Sequence, residues 1–245
     1  MKFRLILALM LVPFPSIVKR GAYRLLFGYR IGRGVKIGLS AIVAEKCTIG
    51  DRTRIGHFNI FYRTRDLRIG SDVIVGIGNR VLGGDLVDIG DRCQIFRFNE
   101  INSILDPLVL GEFEPVLRIG AGSVITVNHK IDFNDKVTFG ENVVFAGRNS
   151  NIWTHNRQKT APIAIGHNCY VGANVQFVAG SSVGDYCVVA LGSVITKKIP
   201  GEWQIVGGMP AVAIKPLDEE SKILVTYPTR PDLEGDGSSM ALPEA

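Results

Sequence analysis

The chain has no acidic residue before Glu45 and no uninterrupted apolar run long enough to cross a bilayer. Eight of its 28 Lys and Arg, and none of its 23 Asp and Glu, fall in the first 44 positions. The net charge of +5 therefore belongs to the N-terminus, and the remainder is slightly acidic. That excludes a basic surface spread over the whole molecule; a basic patch can serve nucleic acid or anionic lipid, and one flanking an apolar run favours lipid over nucleic acid. The apolar run Leu5–Val18 falls short of the roughly 20 residues a spanning helix needs, and Pro13 and Pro15 interrupt it. No small-x-small cleavage site follows it, as one would in a signal peptide. With Lys2, Arg4, Lys19, Arg20 and Arg24 around it, the run is expected to form an interfacial helix or helical hairpin over residues 1–28. It would rest on the cytoplasmic membrane face. A signal sequence and a helix that packs on the domain are the rival readings.

What the sequence does have is glycine, 28 residues of it, and a composition 46% hydrophobic, too apolar for a disordered chain. An aliphatic or Phe residue recurs every six positions: Ile31, Ile37, Val43, Ile49, Ile55, Phe61. The series resumes after short interruptions at Ile69, Ile89, Ile119, Phe139 and Ile165, and closes with Val171, Phe177, Val183, Val189 and Ile195. Gly follows many of these residues, and a small or polar residue sits four positions on, as at Ala41, Thr53, Ser123 and Ser193. Such a period needs a backbone that turns a corner every six residues. Three hexapeptides then close a triangular coil of about 18 residues, and coils stack about 4.8 Å apart. About eight coils are expected, spanning residues 29–199. After Pro200 the chain is expected to leave the prism through a turn and a short helix (200–227), followed by a flexible tail (228–245).

The extra residues fall mostly after one wall, following Phe61, Val81, Ile101, Ile131 and Ile152, with a further slip of one residue near Asn149–Ile152. Insertions are therefore expected to leave the prism along one edge, where a rigid solenoid builds its site. The largest, Asn102 to Arg118, contains Asp106, Glu112 and Glu114. Another wall carries Asn59, Asn79, Asn99, His129 and Asn149 at equivalent positions, which predicts an internal ladder of hydrogen-bonded amides with His129 as a polar rung. All four cysteines, Cys47, Cys93, Cys169 and Cys187, occupy the small inward position and are expected to be buried free thiols.

The segment from Ile152 to Lys215, with its T-H-N-R-Q-K-T-A-P, Y-V-G-A, A-L-G-S, V-I-T-K and G-G-M-P-A motifs, resembles the hexapeptide-repeat acyltransferases. It is most similar to the maltose and galactoside O-acetyltransferases and their relatives in polysaccharide biosynthesis. The resemblance implies an all-β, left-handed parallel β-helix, an exception to the usual crossover hand. It also implies a homotrimer with active sites between neighbouring prisms. By the same resemblance His155 is the catalytic base, Asn128 a candidate polar group at the reacting centre, and acetyl-CoA the donor. The donor would run past Ala173, Leu191, Thr196 and Lys197 to Lys215. Lysines at the end of a solenoid are ordinarily just solvated, and Leu191 is bulkier than the family's alanine. His57 and His167 read as surface residues.

A neutral imidazole suits removal of a proton from a sugar hydroxyl attacking a thioester. The expectation is a cytoplasmic, membrane-peripheral O-acetyltransferase acting on a polysaccharide or lipid-linked glycan precursor, with no metal. An acyl-carrier-protein-dependent acyltransferase and a non-catalytic scaffold are the alternatives. A γ-carbonic-anhydrase-like zinc site is disfavoured, since no second histidine sits five residues from another.

Overall fold

The computed structural model describes residues 2–103 and 113–226. Asp106 and Glu112 lie outside the described residues, as does the tail from Pro228. The hexapeptide period becomes a parallel β-solenoid of about eight coils, each contributing a short strand to three walls. The first wall stacks Lys36–Ile37, Arg54–Ile55, Ile74–Ile77, Gln94–Arg97, Val124–Val127, Val144–Arg148, Tyr170–Val171 and Val188–Val189. The second carries Arg80–Leu82, Glu100–Asn102, Lys130–Asp132, Asn151–Trp153 and Gln176–Val178, and the third Leu86–Ile89, Val116–Ile119, Val137–Phe139 and Ile163–Ile165. The repeating aliphatics fill the interior, essentially without solvent contact. The glycines beside them allow the coils to stack closely. A Cβ built on Gly76 would lie 2.0 Å from the carbonyl oxygen of Phe96, closer than any side chain tolerates.

The shorter insertions are absorbed rather than looped out. Ile60–Ile69 is one continuous strand that turns the corner between second and third walls, adding Leu67 to the interior. At the other end the solenoid does not stop at Pro200. Gln204–Gly208 pairs in parallel with Val188–Val189, then Ala211–Pro216 folds back antiparallel on it. A helix, Glu219–Thr226, follows and buries Val225 near Leu217 and Val188.

The amide ladder forms, with one rung corrected. Asn59 Oδ1 accepts from the Asn79 backbone N–H and Nδ2, Asn79 Oδ1 accepts from the same groups of Asn99, and Asn99 Oδ1 accepts from the His129 N–H. The next rung is Ser150, not Asn149. The strand Val144–Arg148 carries a one-residue bulge against Val124–Val127, so Asn149 turns outward with φ 61° while Ser150 is fully buried. His129 Nδ1 accepts from the Ser150 N–H at 3.1 Å, which places its proton on Nε2, against Thr126 Oγ1 at 2.9 Å. Burial pulls the His129 pKa down to about 4. The unfolded chain, at about 6.5, binds this proton first, so stability is lost as pH falls through the window from about 6.5 to 4, by about 3 kcal/mol in all. Urea midpoints measured from pH 7.5 to 4.5 are expected to show this loss, and His129→Asn, which copies the earlier rungs, is expected to flatten it.

The four cysteines are free and buried. Burial pushes Cys93 up to about 11 and Cys47 up to about 12, so neither is a nucleophile at neutral pH.

Two helices close the N-terminal end of the solenoid: α1, Lys2–Leu11, and α2, Ser16–Phe27, broken from each other around Pro13 and Pro15. The first coil has no preceding coil to pair with, so its backbone groups need other partners. Ser16 Oγ accepts from the Ile37 N–H at 2.9 Å, and the hydroxyls of Tyr23 and Tyr29 accept from those of Ile42 and Ala44 at 3.1 and 2.8 Å. Arg4 donates to the Ala44 carbonyl, Arg24 to that of Ile31, and the buried Lys19 to that of Gly38. Part of the N-terminal positive charge therefore has a structural use that composition alone did not show. No helix of the described residues is long and apolar enough to cross a membrane.

Candidate active site

The edge between the second and third walls collects a polar cluster around His155. Thr154 and His155 follow the second-wall strand Asn151–Trp153, and an isolated antiparallel bridge between His155 and Thr160 pins the loop that begins there. Extended geometry turns alternate residues to opposite faces. Ile152 and Thr154 are buried, while Trp153 and His155 are partly exposed on the outer surface.

One coil earlier, the insertion after Ile131 reads D-F-N-D. Phe133 is buried inside, and Asp132 and Asn134 come up beneath the imidazole. Asp132 Oδ1 lies 3.0 Å from His155 Nδ1 and accepts from the Thr154 hydroxyl at 2.8 Å. Asn134 Nδ2 also lies 3.0 Å from His155 Nδ1, and its Oδ1 accepts from the Ser103 hydroxyl at 3.1 Å. The Ser103 bond fixes the amide so that its N–H groups face Asp132, the better acceptor. His155 Nδ1–H then donates to the carboxylate and leaves Nε2 with a free lone pair. The Asp132 carboxyl is 6% exposed and the imidazole 23%. This is a buried carboxylate holding a reachable imidazole in one tautomer, an arrangement suited to proton abstraction.

Asp132, Asn134 and Ser103 were not singled out from the sequence. The signal was present: the D-F-N-D insertion belongs to the same edge as His155, one coil away, since Ile131 pairs with Ile152.

The other candidates are spread over two edges. Thr196 and Lys197 stand on the His155 edge, exposed, between Val194–Ile195 and Lys198–Ile199. Ala173 and Leu191 stack on the edge between first and second walls, where the Gly192 N–H donates to the Ala173 carbonyl and Leu191 is 75% exposed. Asn128 lies on that edge too, with φ 58°, a left-handed corner that asparagine tolerates well. It donates to Asn149 Oδ1 at 2.6 Å, so within one chain it does not meet His155. Lys215 sits on the final antiparallel strand and pairs with Asp218 at 2.8 Å. His57 and His167 are exposed, their Nδ1 atoms accepting from backbone N–H groups of the preceding coil. Among the described residues no group of three or more His, Cys, Asp or Glu is placed to hold a metal.

Residues 162–197 match the model of the hexapeptide repeat of succinyl-transferase. In that segment the chain carries this hexapeptide repeat. The chain is 28% identical over 131 residues to the galactoside O-acetyltransferase of Escherichia coli K12, covering 49% of the chain and 64% of that protein. It is 31% identical over 188 residues to the bifunctional protein GlmU of Synechococcus sp. CC9605, covering 70% of the chain and 37% of that protein. The chain thus spans little more than a third of that protein's length. Among solved structures, a hexapeptide-repeat acetyltransferase from Vibrio cholerae is 27% identical over 42% of the chain and 64% of its own, with a TM-score of 0.39. The polysialic acid O-acetyltransferase OatWY is 16% identical over 77% of the chain and 81% of its own, with a TM-score of 0.47.

Proposed function

We propose that the protein transfers an acetyl group from acetyl-CoA to a sugar hydroxyl of a cell-surface polysaccharide or lipid-linked glycan precursor, with His155 as general base. The observation that carries this reading is the Asp132–His155 pair on the outer edge of the solenoid. His155 Nε2 takes the hydroxyl proton as the sugar oxygen attacks the thioester carbonyl. Collapse of the tetrahedral intermediate breaks the C–S bond, and the departing sulfur recovers the proton from the imidazolium. Asp132 stabilises that imidazolium and keeps its orientation. No acyl-enzyme is required, in keeping with four buried thiols. Similarity to a galactoside O-acetyltransferase across 49% of the chain supports acetyl transfer to a sugar oxygen.

The active unit in this reading is a homotrimer. The edge between first and second walls exposes Leu39, Phe58, Ile77 and Phe98 in successive coils, and Phe58 and Phe98 sit at φ 58° and 57°, an uncommon conformation for a bulky residue. A heterologous ring closes when this edge of one copy seats beside the His155 edge of the next. Ala173 and Leu191 of the partner subunit then approach His155, with Thr196 and Lys197 on the near side of the shared groove for the donor. Phe58→Glu with Phe98→Glu is expected to convert the trimer to monomer by light scattering and to abolish transfer while circular dichroism stays unchanged.

Residues 1–28 would hold the enzyme on the cytoplasmic membrane face, and unpaired thiols fit that reducing compartment. The test of the reaction is thiol release from acetyl-CoA with a panel of oligosaccharide acceptors. Acceptor-dependent release supports the reading, and undiminished release by His155→Ala removes His155 as base.

A further inference from the structure

Capping the first coil uses one face of α1 and α2 and leaves the other without a partner. Phe3, Ile6 and Met10 on α1, Phe14 in the turn, and Ile17 and Leu25 on α2 are all exposed, Leu25 by 84%. The spacing within each helix gathers these side chains on one side. Of the cations that the cap does not consume, Lys2, Arg30, Arg33 and Lys36 are exposed and Arg20 is half-buried. A shallow cleft beside α2, lined by Ile17, Arg20, Lys36 and His57 among others, adds further positive character. No anion stands in this segment or in the coil it caps before Glu45. A broad apolar face bordered mainly by cations, with Glu45 and Asp51 the nearest acids among the described residues, complements an anionic bilayer, whereas a second copy presenting the same face would oppose like charges.

Solenoid hydrogen bonds run along the coil axis, and the hairpin satisfies those of the first coil, so it lies across the end of the prism rather than along its side. We propose that the protein docks end-on. The two helices lie in the interface of an anionic membrane and the prism stands up from it. His155 follows the second-wall strand Asn151–Trp153, five strand spacings from Ala41–Ala44, which is about 24 Å at the usual spacing. A sugar next to its lipid cannot reach that height. The acceptor class is therefore a lipid-linked oligosaccharide whose reacting sugar lies several residues from the membrane. The acceptor assignment rests on the acyl-transfer reading; the docking does not.

The experiment floats the full chain with phosphatidylglycerol-containing vesicles brominated in mid-chain, with phosphatidylcholine vesicles for comparison, and reads tryptophan emission. Trp153 and Trp203 are the chain's two tryptophans, and both belong to upper coils. The chain is expected to float with the anionic vesicles with its native emission unquenched, while Phe14→Trp adds a component that the brominated lipid quenches severalfold. Ile6→Glu with Leu25→Glu is expected to cut the floating fraction at least about tenfold and to leave transfer to a soluble long oligosaccharide unchanged. Failure to float overturns the docking, as does a mass that doubles in the wild type but not in the charged variant. Flotation with quenched native tryptophans overturns the end-on orientation. Equal kcat/KM, on vesicles, for lipid-linked acceptors of one sugar and of many overturns the acceptor class. Flotation without thiol release for any acceptor is the separate failure of the acyl-transfer reading, and with it of the acceptor class, while end-on docking stands.

Discussion

His155→Ala is expected to lower acyl transfer by about 1,000-fold, inside the range of about 10²- to 10⁴-fold that a positioned general base supplies. The loss should fall on kcat, with KM for acetyl-CoA little changed, because in the proposed reaction the imidazole would handle the acceptor's proton while the donor would be bound elsewhere on the groove. His155 is partly exposed at the start of a surface loop, so its removal creates no core cavity. Unchanged thermal unfolding would show that the effect is chemical. Steady-state thiol release with a fixed acceptor checks both parameters. A variant that keeps more than a tenth of wild-type kcat would mean that another group takes the proton.

The second large effect is at Asp132. Asp132→Asn keeps the size of the side chain and one acceptor oxygen, so Thr154 and the surrounding loop retain a partner. It removes the negative charge beside His155 Nδ1 and lets the imidazole adopt the other tautomer, with Nε2 protonated and useless as a base. A fall in kcat of about 100-fold or more is expected, by the logic of carboxylate-oriented histidines. The double variant with His155→Ala should be no slower than His155→Ala alone, because the carboxylate acts only through the imidazole. Additive losses would assign Asp132 a separate part in binding or chemistry. Asn134→Ala is a useful contrast, since it removes the amide beside the same nitrogen without removing the charge.

The helical cap changes how the N-terminus should be tested. Deleting residues 1–28 would strip Tyr23, Ser16, Lys19 and Arg24 from the backbone groups they satisfy and bare the end of the solenoid. Such a variant would confound membrane release with unfolding. Charged substitutions on the outer helix faces avoid this.

Much of the architecture was legible because a six-residue period has few physical solutions. The interior aliphatics, the glycines that let coils approach, the buried cysteines and the Asn59–Asn79–Asn99 ladder all follow from stacking equivalent positions. What failed to show was local. The seven-residue step from Phe145 to Ile152 shows a slip of one residue, but not which residue it turns outward, and the structure puts Ser150 rather than Asn149 on the ladder. The extra strand Gln204–Gly208 lies beyond the point where the hexapeptide pattern lapses, and only pairing with Val188–Val189 reveals it. The motif pointed to His155 as a candidate, whereas Asp132 sits 23 residues away in sequence and meets it through the coil register. The Leu5–Val18 segment read correctly as too short to span, but the cations flanking it divide between carbonyl capping and the surface, a division set by which carbonyls the first coil leaves open.

In the proposed reaction the polar edge around His155 moves an acyl group directly from thioester to sugar. The most direct test follows wild-type protein through turnover with radiolabelled acetyl-CoA and an oligosaccharide acceptor, assigning the label by mass spectrometry of sugar and protein together. The account predicts one free thiol per acetyl ester on a sugar oxygen, and no label on the protein at any time. Label trapped on a side chain, or thiol released at the same rate without acceptor, would contradict it.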